Sequence, residues 1–400
     1  MSTNGKWISW TVVALLVPWT APQSAAQVSP PSVAEQSSVD AELRRGRLRT
    51  VRCPQQRLAT VLSNANPGDR IRIVGTCAER VTIAIDDLLL TGGPQGALDG
   101  GGGGPAEFAA VITVDGARRV TLEGLTVRNG PGEGILVRGG GAVTLQNVIA
   151  ENNGFTGVAV GDNSVVTLRD VVLRGNAVGL DVFTGSAAVV QGLVSASGNG
   201  SGVDVNGQSI VEIRGGELAA VDNFGPGIVA SSSQIAIFGF TESQVPGSRI
   251  TVTGNGAFGI GLPNSSLEIV GGSFEGSGAN VVTVSDNGGP GIWIPTGGSV
   301  ASPFGTARFV IEGHPVGVDL GPGTEVTFIG GLAIHGNGVG ISGDGADLTL
   351  VSIPPNPSAI TGNGTDVALS FAARATFGGV DVGSLTCDGS VLVRGSAACP

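Results

Sequence analysis

Residues 166–182 read VTLRDVVLRGNAVGLDV, and the phrase inside that stretch recurs on both sides until it becomes the architecture. It consists of an alternating apolar run, Val166-Thr167-Leu168, a turn carrying Asn176, and a second short run opened by glycine, Gly179-Leu180-Asp181-Val182. Upstream it appears as Val143-Thr144-Leu145, Asn153 and Gly157-Val158-Ala159-Val160, and downstream as Val189-Val190, Asn199 and Gly202-Val203-Asp204-Val205. The glycine that opens the second run returns at 134, 157, 179, 202, 227, 259, 291, 317 and 340, and Asp366 takes its place in the last copy. A basic step of 22 or 23 residues, stretched to as many as 32 in certain copies, marks a solenoid whose extra residues bulge at turns. No copy holds a run long enough for a helix. Each coil therefore lays short strands beside those of the next, which predicts an all-β parallel β-helix of about ten or eleven coils and a rod roughly 50 Å long.

Two further columns sharpen the register. Asn129, Asn153, Asn176, Asn199, Asn223, Asn255, Asn287, Asn337 and Asn363 each stand three to five residues before the strand-opening position. Asparagine tolerates left-handed backbone, and its amide can bond to a copy of itself one coil away. A stacked ladder at a tight bend is the expectation, with His314 as the rung between 287 and 337. In the second run, alternation sends Ile135, Val158, Leu180, Val203, Ile228, Ile260, Ile292, Val318, Ile341 and Val367 inward. The residues after them form an outward column: Leu136, Ala159, Asp181, Asp204, Val229, Gly261, Trp293, Asp319, Ser342 and Ala368.

The ends of the chain read differently. Residues 1–26 have the form of a secretory signal, with Lys6 as the positive end, an apolar core over 7–19 and a small-residue cleavage site at Ser24-Ala25-Ala26. That core is too short for an ordinary membrane span, so the product is expected to be secreted, periplasmic or at the cell surface, and not membrane-spanning after cleavage. Residues 27–50, with arginines at 44, 45, 47 and 49, read as a flexible linker. Residues 51–400 form the β-helix domain, with an N-terminal cap over 51–80 and a C-terminal closure over 380–400. The cap contains a short amphipathic helix bearing Leu58, Val61 and Leu62, then the alternating strand Arg70-Ile71-Arg72-Ile73-Val74. It shields strand edges that would otherwise lie open.

Lys6 is the only lysine, and past the signal 20 arginines face 32 acidic residues. That balance argues against nucleic acid as a partner, and the missing lysine removes every mechanism that needs an amine. The four cysteines fall as two local pairs, Cys53 with Cys77 and Cys387 with Cys399, at the two ends of the folded region. In an exported chain they read as disulfides that staple the termini, and the alternative is a metal site.

The helical cap, the near-22-residue coil and the asparagine ladder together resemble the pectate-lyase-like, single-stranded right-handed β-helix superfamily over residues 53–399. The resemblance, with the general rule for parallel crossovers, implies right-handedness. It does not imply one activity, because the superfamily holds lyases, glycosidases, epimerases, esterases, tailspikes and surface proteins. Its standard catalytic motifs are missing. Polygalacturonase-like members carry Asn-Thr-Asp, a paired aspartate, Gly-His-Gly and Arg-Ile-Lys in order. Here the only Asp-Asp is Asp86-Asp87, close to the cap, and His335-Gly336-Asn337 stands where Gly-His-Gly would be sought. Pectate lyases would set calcium-binding acids beside a catalytic arginine; Arg138, Arg169, Arg174 and Arg214 are the candidates, and no spacing fixes one over the others. The epimerase motif Asp-Pro-Xaa-Asp, a nucleophile elbow and a P-loop are absent too.

Chemistry is best sought on the outward column. Asp181 and Asp204 occupy the same place in consecutive coils, so their carboxylates should stand about 5 Å apart. Such a pair can share a proton or hold a calcium ion, and its spacing is near that of retaining glycosidases. Trp293 is the only tryptophan past the signal, and with Asp319 one coil further on it is the candidate substrate-binding pair. Insertions at 240–249 and 271–279 are placed to wall one side of a groove. Two readings stand. The first is an exported, monomeric, non-catalytic solenoid presenting a surface to polysaccharide or a cell-envelope partner, with no cofactor. The alternative is a carbohydrate-active lyase or hydrolase using Asp181 and Asp204 as acid/base groups or Ca²⁺ ligands.

Overall fold

The computed structural model describes residues 46–101, 109–239, 247–271, 280–302, 307–353 and 356–400. The signal, most of the linker and the centres of both insertions lie outside these residues. Every strand pairing between named strands is parallel, and each strand pairs with its counterpart one coil away, in a solenoid of about 13 turns. One face is a stack of thirteen strands running from Val81–Ile83 to Leu385–Cys387. The other two faces merge into a single sheet, because the strands Ala142–Glu151 and Val165–Arg174 continue unbroken round the corner between them. The glycine-opened phrase marks only ten of the thirteen coils. The strands at Val81–Ile83, Ile112–Asp115 and Leu385–Cys387 belong to the same stack but carry no opening glycine.

The core is one continuous column of mostly aliphatic side chains, joined toward the C-terminal end by the buried rings of Phe309, Phe328 and Phe377. All ten residues read as inward are fully buried, and each pairs with the next in register, as in Val158 with Leu180 and Leu180 with Val203. β-Branched and leucine side chains suit this packing because each fills the gap above its counterpart about 4.8 Å away. The opening glycine has a steric cause. A Cβ on Gly179 would lie 2.5 Å from the carbonyl oxygen of Gly202 and 3.1 Å from Nδ2 of Asn199, so the ladder and the next coil leave no room for a side chain.

That ladder is continuous. The backbone N–H of Asn153 donates to Oδ1 of Asn176, Asn176 to Asn199, Asn199 to Asn223, Asn223 to Asn255 and Asn255 to Asn287, all at 3.0–3.1 Å. His314 is the next rung. Its Nδ1 accepts the N–H of Asn287 at 3.3 Å, its own N–H donates to Asn337 at 2.9 Å, and its Nε2 lies 3.2 Å from the Val284 carbonyl, which fixes the proton on Nε2. Asn337 and Asn363 continue the row, and the Asp366 carboxylate ends it by accepting from Asn363. Asn129 is not a rung. Gly130 donates to Asn153 in that position, while Asn129 sits in left-handed backbone with its amide on Asp99.

At the N-terminal end the helix Leu58–Leu62 buries Leu58 and Leu62 over the first coil, and Glu79 accepts the otherwise unpaired N–H groups of Leu58 and Ala59. The stack begins earlier than the sequence reading places it. Leu48–Arg52 is already a strand paired with Arg70–Val74, and Arg49 is held by Asp69 at 3.2 Å, so the linker does not extend to residue 50. The paired cysteines are disulfides, Cys53 to Cys77 and Cys387 to Cys399, with Cα atoms 5.0 and 5.7 Å apart. No helix among the described residues is long and apolar enough to cross a membrane.

Candidate active site on the thirteen-strand face

The outward column runs in strict register from Leu136 to Ala368, through Asp181 beside Asp204, Gly261 beside Trp293, and Trp293 beside Asp319. Its side chains are half-buried, not freely solvated, apart from Ala159 and the site of Gly261, which are covered. That burial changes the aspartates. The carboxyl of Asp181 is pushed up to about 6, first by burial, then by the negative charge of Asp204 and that of Glu133, against a hydrogen bond from Asn206 at 3.2 Å. Asp204 is raised as well by burial, and the Ser201 hydroxyl donates to it in opposition. Asp319 is raised by burial with Ser342 opposing. The two aspartates are therefore electrostatically linked, and the first proton added resides on the pair at mildly acid pH.

A second line of outward residues lies two positions before the inward ones. Ser201 shows its direction, since its hydroxyl reaches Asp204, and so does Phe258, whose ring lies against Trp293. Thr156, in register with Val178 and through it with Ser201, belongs to that line, as does Glu133 one coil earlier. Oε2 of Glu133 and Oγ1 of Thr156 are shielded from solvent and have no hydrogen-bond partner in the protein, and Thr156 is fully buried. Strict alternation hides these residues, because it assigns one outward position per short strand. The signal that could have found them is the glycine after them, where the backbone bends and the residue before the bend turns outward too.

Trp293 is half-buried, with Phe258 at 5.0 Å between centroids and a 36° tilt. Gly261 makes this possible: a Cβ there would meet the Phe258 ring at 2.5 Å, so the ring occupies the space of the missing side chain. The pair forms an aromatic platform flanked along the column by Val229 and Asp319. Asp204 and Trp293 are three coils apart, about 14 Å. The structure does not bring Asp181, Asp204 and Trp293 into one compact pocket, but it does place them on one line.

No arginine named as a lyase candidate faces the acid pair. Arg138 is bound to Asp115 at 2.9 Å, Arg174 to Glu151 at 2.6 Å, Arg169 to Gln191 and Arg214 to Glu212 and the Phe238 ring. Among the described residues, the only trio of metal-type ligands within mutual reach is Cys53, Cys77 and Glu79, and its two sulfurs are committed to a disulfide. Among the described residues, Asp181 and Asp204 therefore have no third carboxylate or imidazole within that mutual reach.

Residues 110–299 match the family model described as a right handed beta helix region. No curated protein matches the chain. Among solved structures, the A-module of the Azotobacter vinelandii mannuronan C-5 epimerase AlgE6 is similar at 15% identity, with 92% of this chain and 95% of that one covered and a TM-score of 0.46. The enzymatically active domain of tailspike protein 2 from bacteriophage CBA120 is similar at 13% identity, over 78% of this chain and 48% of that one, with a TM-score of 0.49. Pectate lyase Pel9A is similar at 12% identity over 86% and 78%, with a TM-score of 0.33. Likenesses this distant assign no activity to this chain.

Proposed function

Starting from a parallel β-helix whose residues 110–299 match the right handed beta helix model, we propose that this chain is an exported carbohydrate-binding protein. Its thirteen-strand face holds a polysaccharide, free or in a cell envelope, along the rod axis. The observation that carries this reading is the alignment of a half-buried carboxylate pair and an aromatic platform on one outward column. Sugars are bound by aromatic faces that meet their C–H surfaces and by polar groups that meet their hydroxyls. A linear polymer is the ligand that can touch Asp181 and Trp293 together. The two disulfides suit an oxidising compartment outside the cytosol.

A second reading, glycoside hydrolysis at Asp181 and Asp204, is favoured by the acidity of Asp181. With its carboxyl near 6, and that shift caused partly by the charge of Asp204, Asp181 can hold a proton while Asp204 is ionised. A protonated acid beside a carboxylate is the division of labour that bond cleavage between sugars requires. In that role Asp181 protonates the leaving oxygen and Asp204 faces the anomeric carbon. The absence of a facing guanidinium among the described residues speaks against the lyase form of this reading. Purified residues 27–400 should be tested for product release from a polysaccharide panel, with and without Ca²⁺, beside an Asp181→Asn/Asp204→Asn double variant. Products from the wild type that vanish in the variant establish the hydrolase. Saturable binding without products establishes the recognition solenoid, and neither result abandons both.

A further inference from the structure

We propose that the polysaccharide held on this face is a neutral one, not a polyuronate; this rests on the carbohydrate reading above and adds the substrate class. The charge on this face is almost wholly negative. On the thirteen-strand face from Ile135–Arg138 to Thr365–Ser370, the only cationic side chain is Arg138, and it is already paired with Asp115. The same stretch presents Asp181, Asp204, Asp319 and Asp344, with Glu133 at its margin. A uronate residue brings a carboxylate to every sugar. Placed on this column, each would stand within one or two coil spacings, about 5–10 Å, of a half-buried aspartate. Like charges so placed, in partly desolvated surroundings with no guanidinium between them, repel strongly.

The strip between the acids is apolar. From Asp204 to Asp319 the column reads Val229, Gly261 and Trp293, with the Phe258 ring filling the space over Gly261. This apolar strip suits the C–H face of an uncharged pyranose, and it offers nothing to a carboxylate.

The turn that leaves the face in the same coils carries a hollow of about 540 Å³ lined by Gln208, Ser232, Gln234, Asn264, Ser266 and Ser299, among others, with no charged residue in its lining. Gln208, Ser232 and Asn264 are exposed, one per coil, in left-handed backbone that projects them from the turn. Amides and hydroxyls at one-coil intervals are donors and acceptors matched to sugar hydroxyls.

The test uses the full mature chain, residues 27–400, in equilibrium binding to glucan, galactan, mannan and xylan, and in parallel to polygalacturonate and alginate. Both series are run at low and high salt, with and without Ca²⁺. The expected result is that one neutral glycan binds at least tenfold tighter than either polyuronate, with little change on adding salt. Trp293→Ala should then weaken it about tenfold and Trp293→Phe much less, with melting curves confirming that both variants fold. Asp204→Asn/Asp319→Asn should narrow the gap to the polyuronates. Polyuronate binding equal to or tighter than every neutral glycan, with or without Ca²⁺, would overturn the substrate class while leaving the carbohydrate reading in place. Neutral binding untouched by Trp293→Ala would overturn the placement on this face. No binding to any glycan would remove the carbohydrate reading itself.

Discussion

The asparagine ladder and the outward column both contribute one residue per coil, yet they behave in opposite ways. From Asn153 to Asn363 the ladder repeats a single side chain with one substitution, His314, and every rung makes the same hydrogen bond to its neighbour. The column runs Leu, Ala, Asp, Asp, Val, Gly, Trp, Asp, Ser, Ala in equal register. A position that stacks on its own copy in a buried bend must repeat, because each amide is the partner of the next. A position that faces outward is free of that constraint, and whatever it carries is available for a ligand. Constancy along the rod therefore reports structure, and variation along a half-buried line reports where function can be written.

The sharpest way to break the comparison is to treat one ladder rung as if it were variable. Asn199 accepts from the N–H and the amide of Asn176 and donates to the Leu173 carbonyl and to Asn223, all inside the protein. Asn199→Leu would strip those bonds and strand buried backbone groups, at a cost of about 3–5 kcal/mol. Thermal and urea unfolding should show a large loss and, in a solenoid where coils contact only their neighbours, a second transition separating the two halves. An unchanged midpoint would mean that the ladder follows the fold and does not hold it.

Much of this architecture is legible in the sequence. The ten inward residues, the column and the rung at His314 follow from period and alternation, since a strand's side chains point by strict turns and a coil's by its repeat, and the disulfide pairing follows from the cysteines falling as two local pairs at the two ends of the folded region. What escaped had physical reasons. The coils at Val81–Ile83, Ile112–Asp115 and Leu385–Cys387 lack the opening glycine, so counting glycines undercounts them. Asn129 looks like a rung in the sequence and is not one, because a left-handed turn asparagine and a ladder asparagine have the same sequence signature. Glu133 and Thr156 were missed because their direction depends on a bend, and the burial that raises Asp181 depends on neighbours that no single coil reveals.

The second test neutralises a residue on the variable line. The Asp181 carboxyl stands near 6 in the fold against 3.8 when unperturbed, so the folded state binds its proton more tightly than the unfolded state does. Its contribution is fully favourable below about pH 3.8 and is lost as pH rises through about 6, leaving a destabilising charge at neutrality. Asp181→Asn should therefore raise stability at pH 7 by about 1–2 kcal/mol after allowance for solvent screening, and the gain should fade below pH 4. Where Asn199→Leu breaks the rod, Asp181→Asn firms it, and a site kept at a cost to stability is one kept for binding or chemistry. A variant less stable than the wild type at pH 7 would mean that the carboxylate is structural.

The smallest effect separates the two lines at the one place where the ladder titrates. His314 is buried at 3% exposure, and its ring is held below the usual histidine range by burial, against the Val284 and Asn287 backbone contacts and the charges of Asp286 and Glu312. Glu312 is itself 3.4 Å from His335 on the next coil. A second proton would have to enter on Nδ1, the atom that accepts the Asn287 N–H, and two donors would then face each other in the middle of the row. Because the folded pKa lies below the unfolded value of 6.5, the unfolded chain binds more protons in that window, and stability present above pH 6.5 is lost as pH falls through the folded pKa. Asp181 carries the opposite sign over an overlapping range. His314→Asn restores an amide that cannot titrate, so its melting temperature should sit close to the wild type at pH 7 and above it at pH 5. Asp181→Asn should show its advantage at pH 7 and lose it on acidification. Two single variants with crossing pH profiles would show that the ladder rung and the column residue are governed by different physics at equal coil spacing. Parallel profiles would show that the rung at His314 is not the neutral acceptor that its geometry requires.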